Sequence, residues 1–331
     1  MVVDSKINSV VVLAGGVGAA RFLRGLALVH ERQATTALVN TGDDTVLHGL
    51  NISPDIDTVI YTLSESIDPQ RGWGLSNETW RAMESLKRYV DVRPTGSIAA
   101  PEWFNLGDQD LATHFYRTAR RSEGADATQI TGEIARAWKV VQRIVPMTNS
   151  DVSTFVELAQ DCQAGKAGTQ ISFQEYFVKY QHNVAVRAIY FQGAQTAKPN
   201  CINELNQADV IVIAPSNPIV SIGPIRALIG VDEVLIANRA KVVAISPIIG
   251  GHALKGPADR MLTELGHESS ALGVARLYKN IASTLIIDSV DANLKDAIER
   301  EGMRCIVANT VMSDPKIAGE LAQTTLDSIA G

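Results

Sequence analysis

The sequence predicts an α/β protein whose doubly wound, mainly parallel sheet carries a helical insertion in the middle of the chain. Near the N-terminus, the β-branched run Val10–Ala14 precedes a glycine turn, Gly15–Gly18, and a helical stretch, Ala19–His30. A strand, a glycine turn and a helix in this order open a doubly wound fold. Later, Val210–Pro215 and Val242–Ser246 are short, β-branched runs that end in Pro or Ser. Such runs are typical of strands buried on both faces of a parallel sheet.

Hydrophobic spacing and turn residues predict the other elements. The other predicted strands are Ala34–Asn40, Thr154–Glu157, Ile189–Phe191, Thr284–Asp288 and Arg304–Ala308. The other predicted helices are Asn77–Tyr89, Asp108–Glu123, Asp126–Val140, Asn293–Glu301 and Pro315–Ile329. Ile56–Ser64 fits either a strand or a helix, and Val90–Pro101 is predicted to be a loop. Because no repeat or linker divides the chain, we predict one Rossmann-like domain, residues 1–331, with the helical elaboration at about 75–185.

The composition excludes several classes of protein. The 331 residues are 46% hydrophobic, enough for a well-buried core, and the net charge of −6 offers no basic face to nucleic acid. The three Cys lie far apart, which argues against a disulfide framework and against a zinc site. No apolar run resembles a signal peptide or reaches the roughly 18 residues of a membrane span. We therefore expect a cytoplasmic protein that binds neither nucleic acid nor membrane.

The glycine turn after the first strand is the first candidate binding site. Glycines allow a tight turn, and the N–H groups at the start of the next helix attract phosphate. Gly15, Gly16 and Gly18 form this turn, and Arg21 would add a bidentate phosphate contact. The pattern is neither GxGxxG nor a Walker loop, so it indicates phosphate binding without identifying a nucleotide. A plain turn between strand and helix is the alternative.

Four aspartates follow the second predicted strand. Asp43 and Asp44 stand at its carboxyl end, and Asp55 and Asp57 open the next element. Open α/β sheets bind ligands at this edge, and carboxylates beside a phosphate site are what Mg²⁺ needs to bind a diphosphate. Each aspartate taken singly is also compatible with an Asx-turn or a helix cap. The group as a whole favours a Mg²⁺ site.

Histidine and aromatic side chains give weaker signals. His48 or His114 could pair with the aspartates or contact phosphate, although a lone His is more often a structural hydrogen-bonding group. A planar ring could be walled by the aromatics of the following set, which at these spacings are more often part of a core: Trp73, Trp80, Trp103 and Phe104.

Two later strand ends carry small polar residues. Ser216, Asn217 and Pro218 follow one buried strand, and the segment Ser246–Gly250 follows the next, with Lys255 just beyond. These edges could hold a nucleoside diphosphate or its base, or they could simply be sharp turns. Neither GxSxG nor HExxH occurs, so covalent catalysis and a zincin site have no support.

Ordered motifs along most of the chain resemble the 2-phospho-L-lactate transferase family, which includes actinobacterial phosphoenolpyruvate transferases of coenzyme F420 biosynthesis. The segments that carry the resemblance are Gly15–Phe22, Asn40–Asp44, His48–Leu50, Pro54–Thr58, Arg71–Gly74, Trp103–Asp108, Asp110–His114, Ala214–Pro218, Ser246–Gly250 and Met312–Pro315. The resemblance implies a Rossmann-like fold with a helical addition, a homodimer and a Mg²⁺-dependent reaction. In that reaction a phosphorylated three-carbon acid passes from a guanosine diphosphate-linked donor to the ribityl hydroxyl of the deazaflavin Fo, and GMP is released.

The resemblance also implies roles for the candidate residues. Asp43 and Asp57 would bind the metal and act in catalysis, supported by Asp44 and Asp55, and one of these carboxylates could take the hydroxyl proton. The implied donor ligands are Gly15, Gly16, Gly18 and Arg21 at the diphosphate and Ser216, Asn217, Pro218, Ser246 and Gly250 at the guanosine. The implied deazaflavin contacts are His48, His114 and Trp103.

Two other functions are alternatives to the transferase. A nucleotide-sugar-binding regulator of the gluconeogenesis-factor-like group shares the glycine turn and an Asp pair, but a Gly-Gly-Ser-Ser run follows its pair, where this chain has Thr45–His48. An NAD-dependent oxidoreductase would need GxGxxG. No residue can be assigned to choosing between phospholactate, phosphoenolpyruvate and phosphoglycerate as the transferred acid.

Overall fold

A computed structural model describes residues 7–330, apart from the side chain of residue 330. The strands are β1 (Val10–Ala14), β2 (Thr35–Val39), β3 (Thr45–Leu47), β4 (Leu50–Ile52), β5 (Arg143–Pro146), β6 (Ser153–Leu158), β7 (Gln170–Ser172), β8 (Val186–Gln192), β9 (Val210–Ile213), β10 (Val242–Ile245), β11 (Ile248–Ile249), β12 (His252–Ala253), β13 (Thr284–Asp288) and β14 (Arg304–Ala308). The α-helices are α1 (Val17–Val29), α2 (Pro54–Leu63), α3 (Arg81–Leu86), α4 (Asp110–Ser122), α5 (Ala127–Ala137), α6 (Ile202–Gln207), α7 (Gly223–Arg226), α8 (Val231–Ala237), α9 (Ala258–Glu264), α10 (Ala271–Tyr278), α11 (Lys295–Arg300) and α12 (Pro315–Ala330).

Seven of these strands form one parallel sheet in the order β5-β2-β1-β9-β10-β13-β14. Val10 of β1 pairs with Thr35 on one side and with Val210 on the other. The chain winds outward from β1 in both directions, so the sheet is doubly wound, as the sequence predicts. The order reverses between β1 and β9, and ligands of open α/β sheets bind outside the carboxyl ends of strands at such a point.

Helices cover both faces of the sheet because successive side chains along each strand point to opposite sides. Val10, Val12 and Ala14 pack under α1, α2, α5 and α12, whereas Val11 and Leu13 pack under α6, α7, α8 and α10. Helices α1 and α12 lie close together, since a Cβ on Gly25 would be 2.3 Å from the carbonyl oxygen of Ala318. A glycine is therefore needed where these two helices cross.

The middle of the chain contains the predicted helices and, in addition, a second sheet. Strands β7, β6 and β8 form it in that order, and both neighbours are antiparallel to β6. The predicted strands Thr154–Glu157 and Ile189–Phe191 lie within β6 and β8. Strand β5, at the edge of the central sheet beside β2, was not predicted, because four residues flanked by polar ones give too short a pattern.

Two helix starts differ from the sequence prediction or resolve its ambiguity. Ile56–Leu63 lies in a helix that begins at Pro54, where proline fixes a helical φ and the missing N–H is not needed, and Ser64 is its C-cap. The predicted helix Asn77–Tyr89 begins only at Arg81, because the Asp108 carboxylate accepts the backbone N–H groups of residues 81 and 82 and caps the helix there. Within residues 7–330, no helix is both long enough and apolar enough to cross a membrane.

Candidate active site

The turn after β2 gathers carboxylates at the carboxyl edge of the sheet. Asn40 organises this turn: its Oδ1 accepts the N–H of Gly42 at 2.9 Å, and its Nδ2 donates to Asp55 Oδ2 at 3.0 Å. From the other side, Gln174 Nε2 donates to the carbonyl oxygen of Asp43 at 3.0 Å. The turn is thereby held between the start of α2 and the segment that follows β7.

Asp43, Asp44 and Asp55 are too close to carry three charges comfortably. Asp43 Oδ1 and Asp44 Oδ1 are buried and have no hydrogen-bond partner among the described residues, while Asp44 Oδ2 accepts the hydroxyl of Ser53 at 2.7 Å. Burial raises the pKa of Asp44 to about 8 and that of Asp55 to about 6. Burial and the neighbouring Asp55 and Asp44 charges raise the pKa of Asp43 well above its ordinary value. The Arg117 charge offsets only part of the rise at Asp44, and a cluster with orphaned carboxylate oxygens fits a divalent metal ion.

The glycine turn lies directly against this cluster. A Cβ on Gly16 would be 2.7 Å from Asp55 Oδ1, and one on Gly18 would be 2.1 Å from the carbonyl oxygen of Pro215. Gly16 is the N-cap of α1 and provides no side-chain cap. The glycines therefore let Asp55 and the chain after β9 approach the start of α1, so this end of the helix borders the acidic cluster.

Asp57 does not share the open position of the other three aspartates. Its two oxygens accept hydrogen bonds from both terminal nitrogens of Arg117, one of them at 3.1 Å, in a buried ion pair. Arg117 Nη1 also lies 3.1 Å from His114 Nδ1. Asp57, Asp110 and His114 are close enough to chelate a metal, but the guanidinium already lies between two of them. The structure thus gives Asp57 a cation partner, in contrast to its expected role as an open metal ligand.

The three expected deazaflavin contacts are not brought together. His114 is 1% exposed, and its Nε2 lies 3.4 Å from Asp110 Oδ2, so it cannot touch a bound ring. His48 occupies the tight β3–β4 turn with φ of +54° and is followed by Gly49. Trp103 packs edge-to-face on Phe104, with ring centroids 5.7 Å apart. Each of these side chains takes part in local packing or a turn, and its contact with a deazaflavin stays a prediction.

A cavity of about 520 Å³ opens beside Asp43 and Asp44. Its wall includes Arg117 and Arg121 from α4, with further residues from α5, β6 and β7. The side chains of Ile130, Val152, Phe155 and Phe173 make much of the wall apolar, and Thr131, Asn149, Ser150 and Gln174 add polar groups. Neither His48, His114 nor Trp103 lines it. Its size and its mixed apolar and polar lining are typical of a small-molecule site.

The expected guanosine-side residues are hydrogen-bonded within their own loops or to neighbouring segments of this sheet edge. Ser216 Oγ accepts the N–H of Gly15 at 3.2 Å, and Asn217 Oδ1 accepts the N–H of Ile219 at 2.9 Å, in the same turn as Pro218. Ser246 Oγ bonds to the backbone of Ile248. The N–H of Gly250 donates to both carboxylate oxygens of Asp291, at 3.0 and 3.1 Å. These residues shape the edge of the sheet and leave few side-chain groups for a ligand.

Sequence reasoning missed three residues of this site. Asn40 directly follows β2, a position that could have suggested it. Arg117 stands one helical turn after His114, so its place on the same helix face was readable. No sequence pattern points to Gln174, because its hydrogen bond to Asp43 joins residues 131 positions apart and depends on the antiparallel sheet.

Several known proteins are similar to this chain in sequence or in fold. The profile of the family described as "2-phospho-L-lactate transferase CofD" matches residues 10–321. A phosphoenolpyruvate transferase from Kitasatospora aureofaciens is 40% identical, with 96% of each chain covered. One from Nocardia farcinica is 39% identical, covering 96% of this chain and 94% of the relative. A UPF0052-family crystal structure from Bacillus halodurans has the same fold, with a TM-score of 0.60, 16% identity, and 96% and 99% of the two chains covered. The chain therefore belongs to the 2-phospho-L-lactate transferase CofD family and is a phospho-acid transferase of coenzyme F420 biosynthesis.

Proposed function

We propose that this enzyme transfers a phosphorylated three-carbon acid from a guanosine diphosphate-linked donor to the terminal ribityl hydroxyl of the deazaflavin Fo, with release of GMP. The observation that carries the proposal is the cluster of Asp43, Asp44 and Asp55, in which Asp43 and Asp44 line the cavity and each keep one oxygen without a hydrogen-bond partner among the described residues. An alcohol attacking a diphosphate needs alignment and charge neutralisation more than a covalent intermediate.

Mg²⁺ is the cofactor that we assign to this cluster. Asp43, Asp44 and Asp55 would hold it, because carboxylate oxygens are hard, anionic donors and one oxygen each of Asp43 and Asp44 is unpartnered among the described residues. When bound, it would neutralise the diphosphate. We place Asp57 one layer deeper, where it fixes Arg117 beside the cavity wall.

The chain's own groups then have distinct tasks. In the transfer, the ribityl oxygen forms a bond to the phosphorus that bears the acid, and the bond from that phosphorus to the GMP oxygen breaks. The hydroxyl proton passes to a carboxylate, and we assign this to Asp43, which lines the cavity and whose Oδ1 has no hydrogen-bond partner among the described residues. The walls around Asp43 keep bulk water from competing with the hydroxyl.

We assign the deazaflavin ring to the 520 Å³ cavity, in place of the surfaces near His48, His114 and Trp103. Its apolar side chains would contact the ring faces, and the ribityl tail would point toward Asp43. We further propose that the enzyme acts in the cytoplasm as a homodimer. The transferred acid, phospholactate, phosphoenolpyruvate or phosphoglycerate, is to be identified by experiment.

Calorimetric titration with Fo, in Mg²⁺ with and without GDP, tests this proposal first. We expect micromolar Fo binding, followed by mass-spectrometric detection of the phospho-acid adduct with one of the three donors. Ser150→Trp, at an exposed position of the cavity wall, should weaken Fo binding at least about tenfold, or 1.4 kcal/mol. Trp103→Ala should leave it unchanged. Tight binding of a nucleotide sugar without Fo binding would instead favour the regulatory alternative.

A further inference from the structure

A hydroxyl group of the antiparallel sheet lies against the turn that carries the acidic cluster. Thr154 is the second residue of β6, and its backbone N–H donates to the carbonyl oxygen of Gly42 at 2.7 Å. A Cβ on Gly42 would be only 2.8 Å from Thr154 Oγ1, so the hydroxyl can come this close only because residue 42 is a glycine. The second sheet therefore places a proton donor beside the residue that precedes Asp43.

This hydroxyl and the Asp43 carboxylate are a donor and an acceptor that both lack a partner. Thr154 is 2% exposed and Asp43 is 6% exposed, yet Thr154 Oγ1 and Asp43 Oδ1 make no hydrogen bond to any described residue. The hydroxyl lies near enough to favour the ionised form of Asp43, and so it counteracts part of the rise in the pKa of that carboxyl. A buried hydroxyl without a partner destabilises a protein, so the resting fold alone does not explain it.

Two other hydroxyl groups of the cavity wall are satisfied. Ser53 Oγ donates to Asp44 Oδ2 at 2.7 Å, and Thr148 Oγ1 donates to the carbonyl oxygen of Lys198 at 2.8 Å. Both residues line the same cavity as Thr154. The hydroxyl that keeps its proton available is thus the one at the turn with the unpartnered carboxylate oxygens.

We propose that Thr154 is a positioning residue, whose hydroxyl donates to Asp43 Oδ1 in the loaded site and holds that carboxylate toward the attacking hydroxyl. The inference rests on the proposed function, because it assigns a task within that reaction. A carboxylate oxygen has two lone pairs, so Oδ1 can accept one hydrogen bond from Thr154 and a second one from the cavity side. Threonine is stiff at χ1 and a strand fixes its backbone, so this support is more precise than one from a loop.

Thr154→Val, which replaces the hydroxyl with a methyl group of similar shape, tests this assignment. We expect kcat at saturating Mg²⁺ to fall at least about tenfold while the KM values of Fo and of the donor stay within about twofold, because the lost hydrogen bond acts in the transition state. The melting temperature without Mg²⁺ should stay constant or rise, since an unpartnered buried hydroxyl is removed. Thr154→Ser keeps the hydroxyl and should retain kcat within about threefold.

Thr35→Val is the matched control. Thr35 is also 2% exposed, and it lies at the amino end of β2, the strand that leads to the same turn. Its Oγ1 donates to the carbonyl oxygen of Glu31 at 3.4 Å. Thr35→Val should therefore lower the melting temperature slightly and leave kcat within about twofold, which is the opposite of the pattern expected for Thr154→Val.

The outcomes separate this assignment from the proposed function. Absence of transfer by the unaltered enzyme would overturn both, whereas a normal kcat of Thr154→Val beside an active unaltered enzyme would overturn only the positioning role. Calorimetric titration with Mg²⁺ alone should give the same affinity within about threefold for the unaltered enzyme and Thr154→Val. A loss of Mg²⁺ affinity above about tenfold would make the hydroxyl a metal ligand and overturn the positioning role as well.

Discussion

Two buried aspartates at the ends of parallel strands, Asp43 and Asp288, differ in their hydrogen bonds and therefore in their pKa values. Asp43, after β2, is 6% exposed and leaves Oδ1 without a partner. Asp288, at the end of β13, is 3% exposed, but its oxygens accept the N–H groups of Val290 at 3.1 Å and Thr310 at 2.9 Å. Burial alone would raise the pKa of both carboxyls. The hydrogen bonds bring the pKa of Asp288 below its ordinary value, whereas the pKa of Asp43 rises.

The contrast extends to both halves of the edge. The β9–β13 half satisfies its polar groups with hydrogen bonds inside its loops and to neighbouring segments, so those residues define a rigid shape. The β1–β2 half keeps unsatisfied carboxylates, which cost stability and are retained where chemistry needs them. We therefore expect the reaction to take place at the β1–β2 half, where carboxylate oxygens lack hydrogen-bond partners within residues 7–330.

The test with the largest expected effect on this contrast is Asp43→Asn. A neutral amide is a poor Mg²⁺ ligand and a poor proton acceptor, so we expect turnover to fall about a thousandfold, roughly 4 kcal/mol. The melting temperature without Mg²⁺ should stay constant or rise, because a repelling carboxylate is removed. Steady-state rates at saturating Mg²⁺ make the measurement, and near-normal turnover would take Asp43 out of the reaction.

Arg117→Met probes the layer beneath the cluster. The substitution leaves Asp57 buried without its cation, and we expect the free energy of unfolding to drop by about 3–5 kcal/mol. Urea denaturation measures the loss. The double variant Asp57→Asn with Arg117→Met should recover part of it, and equal instability of single and double variants would contradict the ion-pair interpretation.

Asp288→Asn is the matched change on the satisfied half. One oxygen that accepts backbone N–H groups becomes an amide nitrogen, so we expect a stability loss of about 1–3 kcal/mol. Turnover at a temperature well below melting should remain within about threefold. A collapse of turnover in a folded Asp288→Asn enzyme would erase the distinction between the two halves.

The pH dependence of stability gives the most gradual of the expected effects, because it is spread over several pH units. Asp44 and Asp55 have folded pKa values of about 8 and about 6, above their ordinary 3.8, so the folded state binds more protons than the unfolded state between those values. Their contribution is complete below pH 3.8 and is lost as pH rises through 6 and 8. The metal-free enzyme should lose at most about 1.4 kcal/mol per pH unit and proton. Denaturation in EDTA should show this slope, and Asp44→Asn should flatten it.

The fold could be predicted from the sequence because buried parallel strands are short, β-branched runs. Runs such as Val10–Ala14 and Thr284–Asp288 coincide with β1 and β13 residue for residue. The sequence also indicated the aspartates as a group, since strand ends of one sheet share an edge. It could not show that Arg117 neutralises Asp57, because that pairing depends on how α4 rotates its face toward α2.

The residues predicted to bind the acceptor and the donor show the same limit of sequence-based prediction. His48, His114 and Trp103 fit a binding role by residue type, but packing gives them other tasks, and the cavity wall comes from segments with no common motif. Ser246 and Asn217 were correctly placed at strand ends. Their self-contained hydrogen bonds appear only once the loops are folded.

The pairing of β1 with β9 has a consequence for the order in which the protein is made. Ser9 donates its backbone N–H to Asp209, 200 residues further along, and α1 is covered by α12 at the end of the described chain. A ribosome adds that length in about 10–40 s, during which β1 has no partner on its β9 side. The first binding element to be synthesised is thus among the last to be completed. An amino-terminal fragment that stops before β9 should consequently fail to assemble the glycine turn and depend on chaperones to stay dispersed.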